Sequence, residues 1–221
     1  MLKGQFDGCV YTDNKDSMNW AILRTPFMQH FIAGEPVNCT EAEIEGILFE
    51  TILSEQDENE IVVFAVSERW YDFLDNIFEK RGGLTDVRKI FSFNHDSYRN
   101  VIRKEIPGNI VPVVELKKCI PYSRTYTWSV RLTVGGNEVS YCNAVMVGKG
   151  NAEIDIATDE RYQNKGYATL AATLLIDKLI ESGLTPSWST WPFRVESQQI
   201  AQKLGFTAEP DAKAWIWMED I

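Results

Sequence analysis

Apolar and polar residues alternate strictly over residues 126–134. A period of two predicts a β-strand that buries one of its faces. Gly135-Gly136-Asn137 follows as a turn, and the apolar run over 139–147 predicts the returning strand of a hairpin. A second turn at 148–151 leads into a third strand. The pattern therefore predicts a three-stranded meander in the second half of the chain.

The third strand is followed by a loop and a long apolar helix. Ile154 and Ile156 alternate with Glu153 and Asp155, which places the two carboxylates together on the opposite face of the strand. The loop over 163–168 opens directly into a helix, which the apolar pattern extends to residue 183.

The start of this helix favours binding of a phosphate group. The first backbone N–H groups of a helix have no acceptor within the helix, and the helix dipole adds positive potential there. Gly166 would let an anion approach the main chain without a side chain in between. The stretch 152–183 is thus a candidate anion-binding element.

Further elements follow to the end of the chain. A short strand over 187–191 ends at Pro192, and a helix over 195–204 ends at Gly205. An aromatic strand over 215–218 then closes the sequence.

Strands and helices also alternate in the first half. Thr40-Glu41-Ala42-Glu43 is a capping box that predicts a helix to residue 54. Strands at 61–66 and 89–93 alternate with helices at 68–81 and 96–103, and short apolar runs before residue 40 favour a small sheet. Pro107-Gly108 indicates a boundary. We therefore predict a mixed α/β (α+β) protein, with a smaller α/β domain over 1–106 and a second domain over 107–221.

The composition argues against several classes of protein. A formal net charge of −10 is unfavourable for nucleic-acid binding, although it suits a cationic small substrate or simply maintains solubility. No apolar run reaches the roughly 18 residues of a membrane span, and the N-terminus lacks a signal-peptide core. We expect a cytoplasmic protein without nucleic-acid or membrane partners. The sequence leaves open whether it forms a homo-oligomer.

The four cysteines lack the spacing of a metal site, and the chain has only two histidines that could assist them. Scattered cysteines are typical of reduced thiols. We expect neither a disulfide nor a bound metal at Cys9, Cys39, Cys119 and Cys142.

Two motifs follow the predicted meander, Gln163-x-x-Gly166-x-Ala168 and Lys203-Leu204-Gly205-Phe206. With the order of elements from about Ile110 to the end, they resemble the GNAT superfamily of acetyl-CoA-dependent N-acetyltransferases. The first is similar to the family's Gln/Arg-x-x-Gly-x-Gly/Ala loop, and the second is similar to a later turn of the family. The resemblance implies a GNAT-type twisted mixed sheet flanked by helices in the C-terminal half.

A further motif consists of Ser187-Trp188-Ser189-Thr190-Trp191-Pro192 together with Ser197. It resembles a bacterial two-domain GNAT group that includes zwittermicin-resistance-type acetyltransferases.

The resemblance implies acetyl-CoA as a co-substrate. In the family, the pyrophosphate of coenzyme A lies on the loop N–H groups, and the pantetheine arm pairs with the central strand like an added strand. Lys165 could attract a phosphate, or it could simply be solvated. The implied cofactor-binding residues are Ile156, Ala157, Thr158, Gln163, Asn164, Lys165, Gly166, Tyr167, Ala168 and Thr169.

The implied reaction is attack of a small-molecule amine on the thioester, which requires a proton acceptor and an N–H donor for the oxyanion. Glu153 and Asp155 are candidate bases. The alternative is a pair of solvated or ion-paired carboxylates, with water as the base. By resemblance, the oxyanion donor would be the backbone N–H of Ile156 or its neighbour.

Three features depart from the family pattern. Ala201 stands where many members have a Tyr that protonates the thiolate, and Arg194 stands where an Asn is usual. Residues 115–125 are too few for the two helices that usually form the acceptor wall. We hypothesise that residues 1–106 cover the acceptor site instead. The departures also support an alternative function, a non-catalytic acyl-CoA-binding or regulatory module.

Aromatic residues of the predicted strands offer further candidates. Tyr141 and Asn143 share a face of the hairpin and are candidate acceptor contacts. Strand aromatics more often belong to a core than to a pocket. Both alternatives apply to Trp188, Trp191, Trp215 and Trp217.

Overall fold

Two groups of strands, each with its own helices, make up the protein in this computed structural model, which describes residues 6–56, 59–103, 105–118 and 124–219. Residues up to 88 and from 211 onward form the first compact unit, and residues 89–210 form the second. Cys119 lies outside the described residues.

The described residues contain the following strands and helices. The strands are β1 Cys9–Thr12, β2 Trp20–Arg24, β3 Gln29–Gly34, β4 Glu60–Ala65, β5 Leu84–Phe93, β6 Ile110–Lys117, β7 Thr127–Val134, β8 Asn137–Gly148, β9 Asn151–Thr158, β10 Thr185–Thr190, β11 Phe206–Ala208 and β12 Ala212–Met218. The α-helices are α1 Glu41–Glu45, α2 Tyr71–Lys80, α3 His95–Arg99, α4 Tyr167–Glu181 and α5 Val195–Lys203. Short 3₁₀ turns lie at Leu53–Glu55, Glu68–Trp70 and Glu160–Tyr162.

The first unit is built on an antiparallel meander of β1, β2 and β3. Strand β4 adds to β3 in parallel, and β12 pairs with both β4 and the first half of β5. The Thr40 hydroxyl caps α1 by accepting a bond from the Glu43 N–H at 3.2 Å, a contact that typically contributes about 1 kcal/mol. Beyond Glu45 the helix continues as a π-helix, Gly46–Ile52, which buries Leu48 and Ile52 in the core.

The second unit repeats this order of elements. Strands β6, β7, β8 and β9 form an antiparallel meander, and β10 pairs with β9 in parallel. Helix α4 follows β9 and buries Ala171, Leu175 and Leu179 against the sheet. The meander and the long helix predicted from the sequence are confirmed.

The last sheet positions of both units are filled by strands from distant parts of the chain. The second half of β5 completes the second unit, where Phe91 pairs with Trp188 and Phe93 pairs with Phe206. Strand β12 completes the first unit. The two compact units divide the chain after Arg88 and Pro210. The domain boundary at residue 106 stays a prediction.

The predicted mixed α/β class is confirmed. Helices flank mixed sheets that contain both parallel and antiparallel pairs. Within the described ranges, no helix has the length and apolar character that crossing a membrane requires.

Candidate functional site

Strand β10 changes its pairing partner half-way along its length. Thr185–Ser187 pairs in parallel with Asn151–Glu153 of β9, whereas Trp188–Thr190 pairs antiparallel with Lys89–Phe91 of β5. Strand β9 meanwhile stays paired with β8 as far as Thr158. The two strands therefore diverge beyond Glu153 and Ser187, and we call this opening between β9 and β10 the fork.

A β-bulge in β8 lies opposite the start of the fork. The register between β8 and β9 shifts from Ala144 opposite Ile154 to Met146 opposite Glu153. A bulge bends its strand and increases the local twist. The bend therefore occurs where β9 leaves β10.

The equivalent parallel pair of the first unit is closed. Strands β3 and β4 pair from Gln29 opposite Val62 to Ile32 opposite Ala65, and the Val66 N–H extends the ladder with a bond to the Ile32 carbonyl at 2.9 Å. In the first unit the parallel ladder continues to the end of β4, whereas in the second unit it ends after three residue pairs, before either strand ends.

The loop between β9 and α4 is held by its own side chains. The Asp159 carboxylate accepts a bond from the Arg161 N–H at 3.0 Å and pairs with the Arg161 guanidinium, which lowers the pKa of Asp159 to about 2. The Lys165 ammonium donates to the Arg161 carbonyl at 3.2 Å and lies 4.9 Å from the centre of the Tyr162 ring. Lys165 is thus an exposed residue with contacts to its own loop.

Gly166 begins α4 in the left-handed conformation, with φ of 83°. A Cβ atom at this position would meet no protein atom within 4 Å. The backbone conformation, rather than a lack of space inside the protein, therefore favours glycine here. The Leu170 N–H bonds to the Gly166 carbonyl at 3.0 Å, so the N–H groups of Tyr167, Ala168 and Thr169 precede this first helical bond.

The two candidate bases share a face of β9 but differ in environment. Glu153 is half-buried and accepts bonds from Ser187 Oγ at 2.7 Å and Ser189 Oγ at 2.6 Å. Asp155 is exposed. Burial, followed by the charge of Asp155 and a hydrogen bond to it, raises the pKa of Tyr141.

The opposite face of β9 belongs to the hydrophobic core. Ile154 is buried in the core of the second unit, and Ile156 packs against it. At the end of the strand, the Thr158 and Ser140 hydroxyls share a hydrogen bond of 2.8 Å. Alternation along the sequence therefore predicts the two faces correctly.

Several other predicted candidates have structural roles. Trp188 and Trp215 are fully buried core residues, which supports a role in the core rather than in an acceptor pocket for these two aromatics. The Asn143 amide oxygen accepts a bond from Ser129 Oγ at 2.7 Å in a buried position. Ala201 is also completely buried. Arg194 caps α5 without a side-chain bond, and its guanidinium lies 5.4 Å from the Phe193 ring centre.

The serine pair of β10 adds residues that the sequence alone did not assign to the site. The signal is the alternation of Ser187 and Ser189 around Trp188, since residues two apart in a strand share a face. Within the described ranges, no group of three or more metal-ligating side chains comes together.

Comparison with known proteins identifies relatives of this arrangement. Residues 130–214, which include the fork and the loop, match the family described as GNAT acetyltransferase. An uncharacterized N-acetyltransferase, YdfB of Bacillus subtilis (strain 168), is 26% identical over 93% of this chain and 84% of its own length.

Solved structures show the same fold. A GCN5-related N-acetyltransferase-like protein from Streptococcus suis 89/1591 aligns with a TM-score of 0.71 and 19% identity, over 98% of this chain and 90% of that one. A GNAT-family putative acetyltransferase from Novosphingobium aromaticivorans DSM 12444 gives a TM-score of 0.58 and 16% identity, over 92% and 90%. The fork, the loop and α4 lie in the matched segment, and the matches together support a GNAT superfamily N-acetyltransferase, which is an acyltransferase enzyme.

Proposed function

We propose that the protein transfers an acetyl group from acetyl-CoA to the amine of a small molecule. The observation that carries the proposal is the fork, which opens along β9 directly before the loop that leads to Gly166. A strand edge suited to an extended amide chain is thus continuous with a helix start suited to phosphate.

The donor would bind through main-chain groups. Its pyrophosphate would accept bonds from N–H groups of the loop and of the first turn of α4, and the pantetheine amides would pair along β9 in the fork. Both contacts depend on backbone conformation, so they fit a loop with left-handed residues at Asn164 and Gly166. The proposed contact residues are Ile156, Ala157, Thr158, Gln163, Asn164, Lys165, Gly166, Tyr167, Ala168 and Thr169.

The reaction requires one proton acceptor and one hydrogen-bond donor. The amine nitrogen attacks the thioester carbon, the C–S bond breaks, and CoA leaves as the thiolate. Glu153 or Asp155 would take the proton that the amine loses, and the N–H of Ile156 or its neighbour would stabilise the oxyanion. Because the Ala201 side chain has no ionisable group, we assign no acid to that position.

The acceptor would be a small cationic amine. Two carboxylates on one face of β9, together with a formal net charge of −10, favour an approaching ammonium group over an anion. A cytoplasmic, bacterial setting stays a prediction, and the oligomeric state stays open.

Thiol release tests the proposal. We expect acetyl-CoA to yield free CoA thiol faster with at least one of butylamine, ethanolamine, putrescine and spermidine than without amine. Calorimetry should show acetyl-CoA binding in the absence of any amine. Absence of binding would contradict the choice of donor, whereas binding without thiol release would contradict this class of acceptor.

A further inference from the structure

We propose that Ser187 and Ser189 are positioning residues that hold the Glu153 carboxylate at the fork, and that Glu153 rather than Asp155 accepts the proton of the amine. The inference rests on the acyl transfer proposed above, and it assigns roles to two residues of β10 that do not themselves react.

Glu153 occupies the point at which β9 and β10 separate. It is the last residue of β9 in register with β10, and Ser187 is its direct partner. Ser189 lies two residues further along β10, where the strand already pairs with Ile90 of β5. The carboxylate therefore contacts both the paired segment of β10 and the segment that has turned away.

The hydrogen bonds fix both oxygens of the carboxylate. Ser187 Oγ donates to Oε2 at 2.7 Å, and Ser189 Oγ donates to Oε1 at 2.6 Å. A serine hydroxyl carries one proton, so each serine is committed to a different oxygen of Glu153. Hydrogen bonds to a charged acceptor are stronger than neutral ones, and two of them restrict the rotation of a flexible side chain.

The serines themselves are rigidly placed. Ser187 pairs with β9 and Ser189 pairs with β5, so both lie within paired strand rather than in a loop. The intervening Trp188 is fully buried, and its indole N–H donates to Ser197 of α5 at 3.1 Å. Groups held on paired strands position a reacting side chain more accurately than groups on loops.

Asp155 lies on the same face of β9 in a different environment. It is exposed, and its carboxylate has a hydrogen bond with the Tyr141 side chain. Glu153 is half-buried, and both of its oxygens accept bonds from serines of paired strand segments. A base whose two oxygens are both held contributes to proton transfer through its fixed geometry, so the geometry points to Glu153.

Steady-state kinetics with the most active amine of the panel test the inference. We expect the double variant S187A/S189A to lose about tenfold or more in kcat, while KM for acetyl-CoA stays within about twofold, because the serines act through Glu153 and not on the donor. The conservative single variant Ser189→Thr keeps a hydroxyl at this position, so its kcat should lie within about threefold of the wild-type value.

A matched control is available in the same unit. Ser92 of β5 also donates to a glutamate, Glu209, but this pair lies outside the fork. Ser92→Ala should leave kcat unchanged. An equal loss of kcat in Ser92→Ala and the double variant would overturn the inference, since it would indicate general weakening of the sheet.

A double-mutant cycle separates positioning from a structural role. In the Glu153→Gln background, replacing both serines should cause no further loss of kcat, because the group on which they act has been changed. Losses that simply multiply would overturn the inference.

An acceptor-free measurement keeps the inference testable if no amine in the panel reacts. Three-bond NMR couplings of the Glu153 β-methylene protons should report one χ1 rotamer in the wild type and averaged rotamers in S187A/S189A. Unchanged couplings would overturn the inference. Its failure is distinguishable from that of the proposed function, which would appear as absent acetyl-CoA binding in the wild-type chain.

Discussion

His30 is a buried histidine whose two ring nitrogens are both engaged. Nδ1 accepts a bond from the Thr25 N–H at 3.2 Å, and Nε2 lies 3.2 Å from the Gln56 amide oxygen. Burial is the main reason that its pKa falls from 6.5 to about 4. The unfolded chain therefore binds this proton more readily than the folded chain between these pH values.

His30 should make the stability of the protein depend on pH. Its contribution is complete above pH 6.5 and is lost as the pH falls towards 4, which corresponds to about 3 kcal/mol across the range. Urea unfolding at pH 7.5, 5.5 and 4.5 measures this loss. His30→Gln should be less stable at pH 7.5 but show a smaller decrease with pH. An equal decrease in both proteins would exclude His30 as the source.

Residue patterns predict much of the site. The alternation of Glu153 and Asp155 with Ile154 and Ile156 gives the polar and buried faces of β9 correctly. The two serine bonds to Glu153 were not predictable, because they depend on the register between β9 and β10, which no local pattern encodes. Similarly, the left-handed φ of Asn164 is compatible with the sequence but not specified by it.

At the scale of elements, two helices end in glycines with the same backbone conformation. Gly183 after α4 has φ of 73°, and Gly205 after α5 has φ of 85°. A Cβ atom on Gly183 would meet nothing within 4 Å, whereas one on Gly205 would lie 2.6 Å from the Tyr98 backbone nitrogen. Gly205 therefore has a packing role in addition to ending a helix.

Alanine at these two glycines should separate backbone strain from steric overlap. Gly183→Ala should cost about 1 kcal/mol, because it introduces only an unfavourable φ. Gly205→Ala should cost about 2 kcal/mol or more beyond that, because Tyr98 must also move. Urea unfolding of both variants gives the difference. Equal losses of unfolding free energy in the two variants would show that the backbone near Tyr98 moves aside without an energetic penalty.

The strength of the local pattern explains which elements the sequence predicts. Strands β7, β8 and β9 and helix α4 have clear periodicity and match their predicted positions within a few residues. The short strands β1, β2 and β3 are weakly patterned, because each is only four to six residues long. The π-helix Gly46–Ile52 was predicted as an ordinary α-helix, since its apolar spacing differs little over seven residues.

At the scale of the whole molecule, the sequence does not predict which distant strands pair. Strand β12 pairs with β4, and the second half of β5 pairs with β10 and β11; we call these pairings the strand exchange. Trp215 of β12 pairs with Val63 of β4, although most of the chain separates them. Pairing between residues so far apart in the sequence produces no local sequence pattern. The predicted domain boundary at residue 106, in contrast, rests on the local pattern Pro107-Gly108. The resulting units share β5, whose halves belong to different units.

The exchange predicts that residues 107–221 do not fold alone. This fragment lacks β5, so the end of β10 and all of β11 lose their pairing partner, and Phe91 is missing from the core. Far-UV circular dichroism should show no cooperative thermal transition for the fragment. Co-expression with residues 1–106 should restore one. A cooperative transition in the isolated fragment would contradict the prediction.

The closed ladder of β3 and β4 predicts a single donor site per chain. In addition, α1 of the first unit has its start capped by Thr40 and carries Glu41 and Glu43 in its first turn, which disfavours an anion there. The fork and the uncapped start of α4 occur together in the second unit.

Calorimetric titration of acetyl-CoA into paired Gly166 variants tests the central claim most directly. Asn and Asp both tolerate the left-handed conformation and have nearly the same shape, so they differ mainly in charge. We expect one bound acetyl-CoA per wild-type chain, affinity within about tenfold of wild type for Gly166→Asn, and a loss of about a hundredfold or more for Gly166→Asp. Two sites per chain, or equal affinities in the two variants, would contradict a pyrophosphate site at the start of α4.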